Sequence, residues 1–178
     1  MAYSETASRI MDVAERLARQ GGYNAFSFRE IANEIGIKSA SVHYHFPTKD
    51  ALGEALAERY TDRFISALGQ PDDAAAEDVL RRYITACGIA LKEDKLMCLC
   101  GMFGAEIEHL PVLVAGKTKG FFQQSLAWLT KAYMAKGETE EQAKNSAARM
   151  ISTVEGAMIL ARALDDLTLF DAATADLV

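Results

Sequence analysis

The tightest constraint on this chain is the punctuation between residues 27 and 47. Ser27-Phe28-Arg29-Glu30 has the spacing of a capping box: the hydroxyl accepts from an amide three residues on while the Glu30 carboxylate reaches back. Phe28, Ile31, Ala32 and Ile35 then fall on one helical face, which predicts burial for all four. Gly36 ends this helix, because glycine turns with positive φ at no steric cost. Pro47 forbids helix beyond Phe46. Between these breaks there is room for one helix of about two turns, roughly Ser39 to Phe46. Two short helices joined by a tight glycine turn are a helix-turn-helix candidate, over residues 27–46.

The flanking sequence is helical as well. Ile10, Val13, Ala14, Leu17 and Ala18 mark a helix that Gly21-Gly22 stops. Thr48 can cap a helix running through Leu52, Leu56, Tyr60 and Phe64 to about Leu68. Gln70-Pro71-Asp72-Asp73 is the clearest break. Beyond it Leu80, Tyr83, Ile84, Cys87 and Leu91 share a face, Met97–Ile107 reads as a buried helix of about three turns, and Pro111 opens another that Gly137 ends. Thr139-Glu140-Glu141-Gln142 is a second capping box, starting a helix to about Leu164, and Leu167–Val178 reads as a short amphipathic tail. The expected fold is all-α, with about nine helices and no convincing strand. An N-terminal three-helix domain over residues 4–64 carries the helix-turn-helix, and a helical domain over 72–178 follows.

Charge divides along the same line. Residues 1–49 hold six Lys/Arg against five Asp/Glu, a net of +1, so the remainder carries −7 of the overall −6. Overall acidity argues against a nonspecific nucleic-acid coat but leaves room for a local basic face. No apolar run approaches the ~20 residues of a membrane span, and the N-terminus does not read as a signal peptide, so a cytoplasmic chain without membrane contact is expected. Cys87, Cys98 and Cys100 are an odd number and do not suggest a disulfide framework.

The second helix of the pair can bury Val42 and Phe46 and offer Ser39, Ala40, Ser41, His43 and Tyr44 to a major groove. Arg29 and Lys38 bracket the turn, and Lys49 stands at a helix N-terminus, where free amides add to its attraction for a phosphate. This stretch resembles the TetR family of bacterial transcriptional regulators. The matching text runs from Ala14 and Leu17 through Gly21-Gly22, Phe26-Ser27, Ile31-Ala32 and Gly36-Ile37 to Ser41-Val42-His43-Tyr44-His45-Phe46-Pro47-Thr48-Lys49-Asp50 and Leu52. The resemblance implies that Ser27 and Arg29 hold phosphates, that Ser39, Ala40, Ser41 and His43 meet bases, and that Tyr44, His45 and Lys49 contact the backbone. The recognition helix departs from many members in its Ser39-Ala40 pair and in His43, and it lacks the Arg or Lys that grips guanine best. Its readout is expected to use hydroxyl, imidazole and apolar contacts with DNA shape.

The implied partners are a double-stranded DNA operator, a second copy of the chain, and a small apolar or electrophilic effector. Met97-Cys98-Leu99…Ala105-Glu106 also resembles a segment of the LmrA/YxaF-like and N-ethylmaleimide-responsive repressors, which makes Cys98, with the extra Cys100, a candidate sensor; the alternative is a pair of buried structural thiols. Cys87, Met102, Phe103, Glu106, Phe122, Trp128, Met150, Val154 and Met158 are candidates to line an effector pocket, with core packing as the competing role, or for Glu106 either a surface carboxylate or a buried acceptor for a cationic or hydroxylated ligand. Ala147, Ile151, Gly156, Ala157, Ala161 and Leu164 are candidates for a dimer interface. No metal or cofactor is expected: His43 and His45 point about 200° apart around a helix axis. The chain shows no phosphate loop, His-Glu-x-x-His pattern or nucleophile elbow, so a non-enzymatic regulator is expected over a helical enzyme or adaptor.

Overall fold

A computed structural model describes residues 3–178. Among them there are nine α-helices and no strand: α1 (Glu5–Gly21), α2 (Phe28–Ile35), α3 (Ser39–His45), α4 (Lys49–Leu68), α5 (Ala76–Lys92), α6 (Leu99–Ala105), α7 (Val112–Ala135), α8 (Glu140–Ala163) and α9 (Thr168–Thr174). Short 3-10 turns cover Tyr23–Ala25 and Ile107–His109.

Helix ends follow local chemistry. Ser27 accepts from the Glu30 amide, but the Glu30 carboxylate meets the Ser27 hydroxyl at 2.7 Å, in place of the reach-back bond to the backbone. Gly36 closes α2 at φ 73°, ψ 36°, its N–H donating to the Ala32 carbonyl. Thr48 Oγ1 accepts from the Ala51 amide, and Thr139 with Gln142 forms the full reciprocal box. The expected helix over Met97–Ile107 is shorter, α6 giving way to the second 3-10 turn at Glu106.

The chain divides into two compact units. The first comprises the residues up to Thr61 together with Leu99–Phe121. In it α1, α2 and α3 pack on one another, and α6 packs on α1. Ile10, Met11, Phe26, Ile31, Val42, Phe46 and Leu52 are buried there. Phe28 and Ile35, expected in the core, are only half-buried. Arg59 ties α4 to α1 through Asp12 at 2.8 Å and Glu15 at 2.9 Å, and the Arg19 guanidinium lies 5.6 Å from the Tyr60 ring centre.

The second unit comprises Asp62–Cys98 and Phe122–Val178. There α8 packs against α5 and α9, burying Ala143, Ala147, Met150, Val154, Ala157, Met158 and Ala161. The Trp128 indole N–H donates to the Gly69 carbonyl at 2.8 Å and fastens the turn after α4. No helix among the described residues is long and apolar enough to cross a membrane.

Candidate nucleic-acid interface

The helix pair turns its polar side outward. Val42 and Phe46 are buried, whereas Ala40, His43 and Tyr44 are exposed, Tyr44 to 83%. Ser39, Ser41 and His45 are half-buried, and Arg29 and Lys38 are exposed beside the turn. His43 meets the Phe28 ring edge-on, with centres 4.6 Å apart, which explains the incomplete burial of Phe28: it supports the recognition helix from outside the core.

Lys49, at the start of α4, is held more firmly than its sequence position suggests. Its ammonium lies 4.6 Å from the Tyr23 ring centre and 4.7 Å from that of Phe26, a cation–π pair of contacts. Partial burial lowers its pKa, opposed by the nearby carboxylates of Glu30, Asp50 and Glu106. The Tyr23 hydroxyl donates to Asp50 at 3.0 Å. Burial first, then that bond and the Asp50 charge, raises the phenol pKa well above its ordinary value, so it remains a donor. Tyr23 packs edge-on against Phe26 and Phe103.

Glu106 completes this cluster. In sequence it reads either as a surface carboxylate or as a buried acceptor for an effector. Its carboxylate accepts the Tyr23 backbone N–H at 2.9 Å. It occupies the space above Gly22, whose φ is 84°: a Cβ built there would lie 2.0 Å from Glu106 Oε1. The partner is the free amide left where α1 gives way to a turn, and it lies 83 residues away along the chain.

The profile of the bacterial regulatory proteins, tetR family, matches residues 10–56. Over the whole chain, the solved TetR transcriptional regulator of Legionella pneumophila is 35% identical, covering 99% of this chain and 97% of that one, with a TM-score of 0.93. A TetR-family regulator of Agrobacterium tumefaciens is 30% identical, covering 96% and 94%, at 0.88. The chain belongs to the TetR family. A curated relative, an uncharacterized HTH-type transcriptional regulator in the dhlA 5′ region of Xanthobacter autotrophicus, is 23% identical over 175 residues, covering 93% of this chain and 84% of its own. The reduced form of Escherichia coli NemR, 19% identical over 97% of this chain and 95% of its own, shares the fold at a TM-score of 0.78. As a TetR-family member the chain is a DNA-binding transcriptional regulator, of a class that is typically non-enzymatic.

The other candidate residues belong to both units. Met102, Phe103 and Glu106 fall in the first unit; Cys87, Phe122, Trp128, Met150, Val154 and Met158 fall in the second. Cys87, Cys98 and Cys100 are buried thiols. Of the residues expected at a dimer interface, Ala147, Ile151, Ala157 and Ala161 are buried by the chain's own packing, which removes them as contact surface in this conformation. Their helix presents its opposite face outward: Ile159, Leu160 and Leu164 are exposed, and a Cβ at Gly156 would meet nothing within 4 Å. Among the described residues no group of three His, Cys, Asp or Glu could hold a metal ion.

Sequence reasoning missed a polar group in the second unit. The Tyr83 hydroxyl, Ser125 Oγ and Glu155 Oε1 are buried with no completed hydrogen bond. Ser125 adjoins the Tyr83 hydroxyl, and the Glu155 carboxyl is hydrogen-bonded to Cys98. Burial raises the pKa of both Tyr83 and Glu155. In sequence, Tyr83 reads as one more apolar-face residue of α5, and Glu155 as one of many helix glutamates.

Proposed function

We propose that this regulator is a homodimeric repressor that leaves a roughly palindromic operator when a small ligand binds or Cys98 is modified. Residues 4–64 bind DNA, and residues 72–178 sense the effector and dimerise. The observation that carries the reading is the recognition helix α3, anchored by Val42 and Phe46 with its small and polar side exposed. Ser39, Ala40, Ser41 and His43 face bases; Ser27, Arg29, Lys38, Tyr44, His45 and Lys49 hold the DNA backbone. Two copies set their recognition helices about 34–36 Å apart, one turn of DNA.

The exposed Ile159, Leu160 and Leu164 beside open space at Gly156 support dimerisation through α8, since large apolar side chains at helical spacing mark an interface. Coupling is supported by the Glu106–Tyr23 bond. The segment after Cys98 holds the same tyrosine that positions Asp50 and Lys49, so a shift of α6 reaches the phosphate contact. Allosteric coupling of about 1–3 kcal/mol is enough to release an operator.

The test is operator selection from random DNA with the purified protein at physiological salt. A two-fold symmetric consensus bound by a dimer is expected; recovery of no consensus defeats the reading. Cys98→Ser then separates the two triggers, because release by electrophiles that persists in the variant removes Cys98 as the sensor.

A further inference from the structure

Three helices of the second unit bring together polar atoms whose hydrogen bonding is incomplete. Tyr83 comes from α5, Ser125 from α7 and Glu155 from α8. Tyr83 and Ser125 have no solvent exposure; Glu155 is half-buried, with its Oε1 atom enclosed. An unmade hydrogen bond at a buried polar atom costs about 1–3 kcal/mol, so three in one neighbourhood call for an occupant. Glu155 has a further deficiency. Its carboxyl hydrogen-bonds Cys98, and no Lys, Arg or His among the described residues pairs with it. A buried carboxyl without a counter-charge is unfavourable as the anion.

We propose that Tyr83, Ser125 and Glu155 form the polar end of an effector site for a small organic cation, a protonated amine on an apolar body. An ammonium carries three N–H donors, enough for Glu155 Oε1 and for the adjoining Tyr83 and Ser125 oxygens, whose own bond is incomplete, and it supplies the charge that Glu155 lacks. Water could complete the hydrogen bonds but not the charge. Leu80, Cys87, Val154 and Met158 on the same helices are buried, so the apolar body would enter by displacing core side chains. The site deepens the ligand-released reading and rests on it. Burial and the missing counter-charge favour the protonated carboxyl, and any proton it holds passes to solvent as the ammonium arrives. The other titratable groups of the cluster are Tyr83, Cys87 and Cys98.

The probes are benzylammonium, its neutral counterpart benzyl alcohol, and butylammonium, measured by calorimetry on the full chain in two buffers of different ionisation enthalpy. An ammonium probe is expected to bind with proton release, at least about tenfold tighter than benzyl alcohol. Glu155→Gln should lose at least about that factor. Ser125→Ala, which leaves the carboxyl in place, should weaken binding a few-fold and serves if Glu155→Gln does not fold. Equal affinity for the alcohol, undiminished binding by Glu155→Gln, no binding of either ammonium, or a crystal of the soaked protein with water alone between the three oxygens would overturn the site. Operator release is scored separately. An amine that releases DNA equally from wild type and Glu155→Gln counts against the site while sparing ligand-triggered release. An amine that binds through Glu155 without releasing DNA supports the site and counts against its role as the trigger.

Discussion

Replacing Lys49 with Gln separates a phosphate contact from a structural lysine. The ammonium rests on two rings, Tyr23 and Phe26. Each exposed cation–π contact contributes about 0.5–1 kcal/mol, so the variant should lose about 1 kcal/mol of stability and still fold. DNA binding should respond differently. Each neutralised phosphate adds about 0.9 to the slope of log affinity against log salt, so a dimer losing two lysines should flatten by about 1.8. Between about 50 and 200 mM salt, a fourfold change, the wild type's advantage should therefore shrink by roughly tenfold. Fluorescence anisotropy on the selected operator across that range reads the slope directly. A change near 0.9 would indicate one contact per complex and argue against the dimer. Parallel slopes would refute the phosphate role and leave Lys49 as a lid over two aromatic rings.

Gly22→Ala should be costly, because its backbone lies in a glycine-only region and Glu106 fills the space above it; about 2–5 kcal/mol in urea unfolding combines the strain with a weakened carboxylate–amide bond. Adding Glu106→Ala should cost less than the sum of the single changes, and strict additivity would place the carboxylate elsewhere. Gly156→Arg should yield monomers by sedimentation, yet raise the monomer's own stability by up to about 1 kcal/mol through helix propensity; an intact dimer would exclude that face. Burial raises the Glu155 pKa, so its contribution to stability is full below the unfolded carboxyl's pKa and lost as pH rises through the folded value. Glu155→Gln should therefore gain on wild type from acid toward neutral and alkaline pH in urea titrations, and a pH-independent difference would contradict the buried carboxyl.

Helix boundaries were readable because their causes are local. Gly36 adopts the left-handed turn at φ 73°, Gly137 ends α7 at φ 106°, and Thr139 and Gln142 cap α8 within four residues of chain. The helix-turn-helix was readable for the same reason, with Val42 and Phe46 buried and Tyr44 exposed as their spacing requires. The Glu106 contact was not legible, because a carboxylate in an apolar stretch carries no sign of its partner, and Tyr23 lies 83 residues back. The small residues of α8 carry a different ambiguity. Helical periodicity finds a close-packing face but not what packs on it; here the chain itself covers Ala147, Ala157 and Ala161, leaving Gly156 open.

The amino-acid sequence by itself therefore determined the all-helical class, most helix ends and the reading helix, because caps, glycine turns and prolines act over three or four residues. Tertiary structure decided which polar groups meet: Glu106 with the Tyr23 amide, Lys49 with two rings, and Tyr83, Ser125 and Glu155 in one core. Those meetings depend on how helices distant in sequence are packed, and burial then sets the strength of each charge and hydrogen bond.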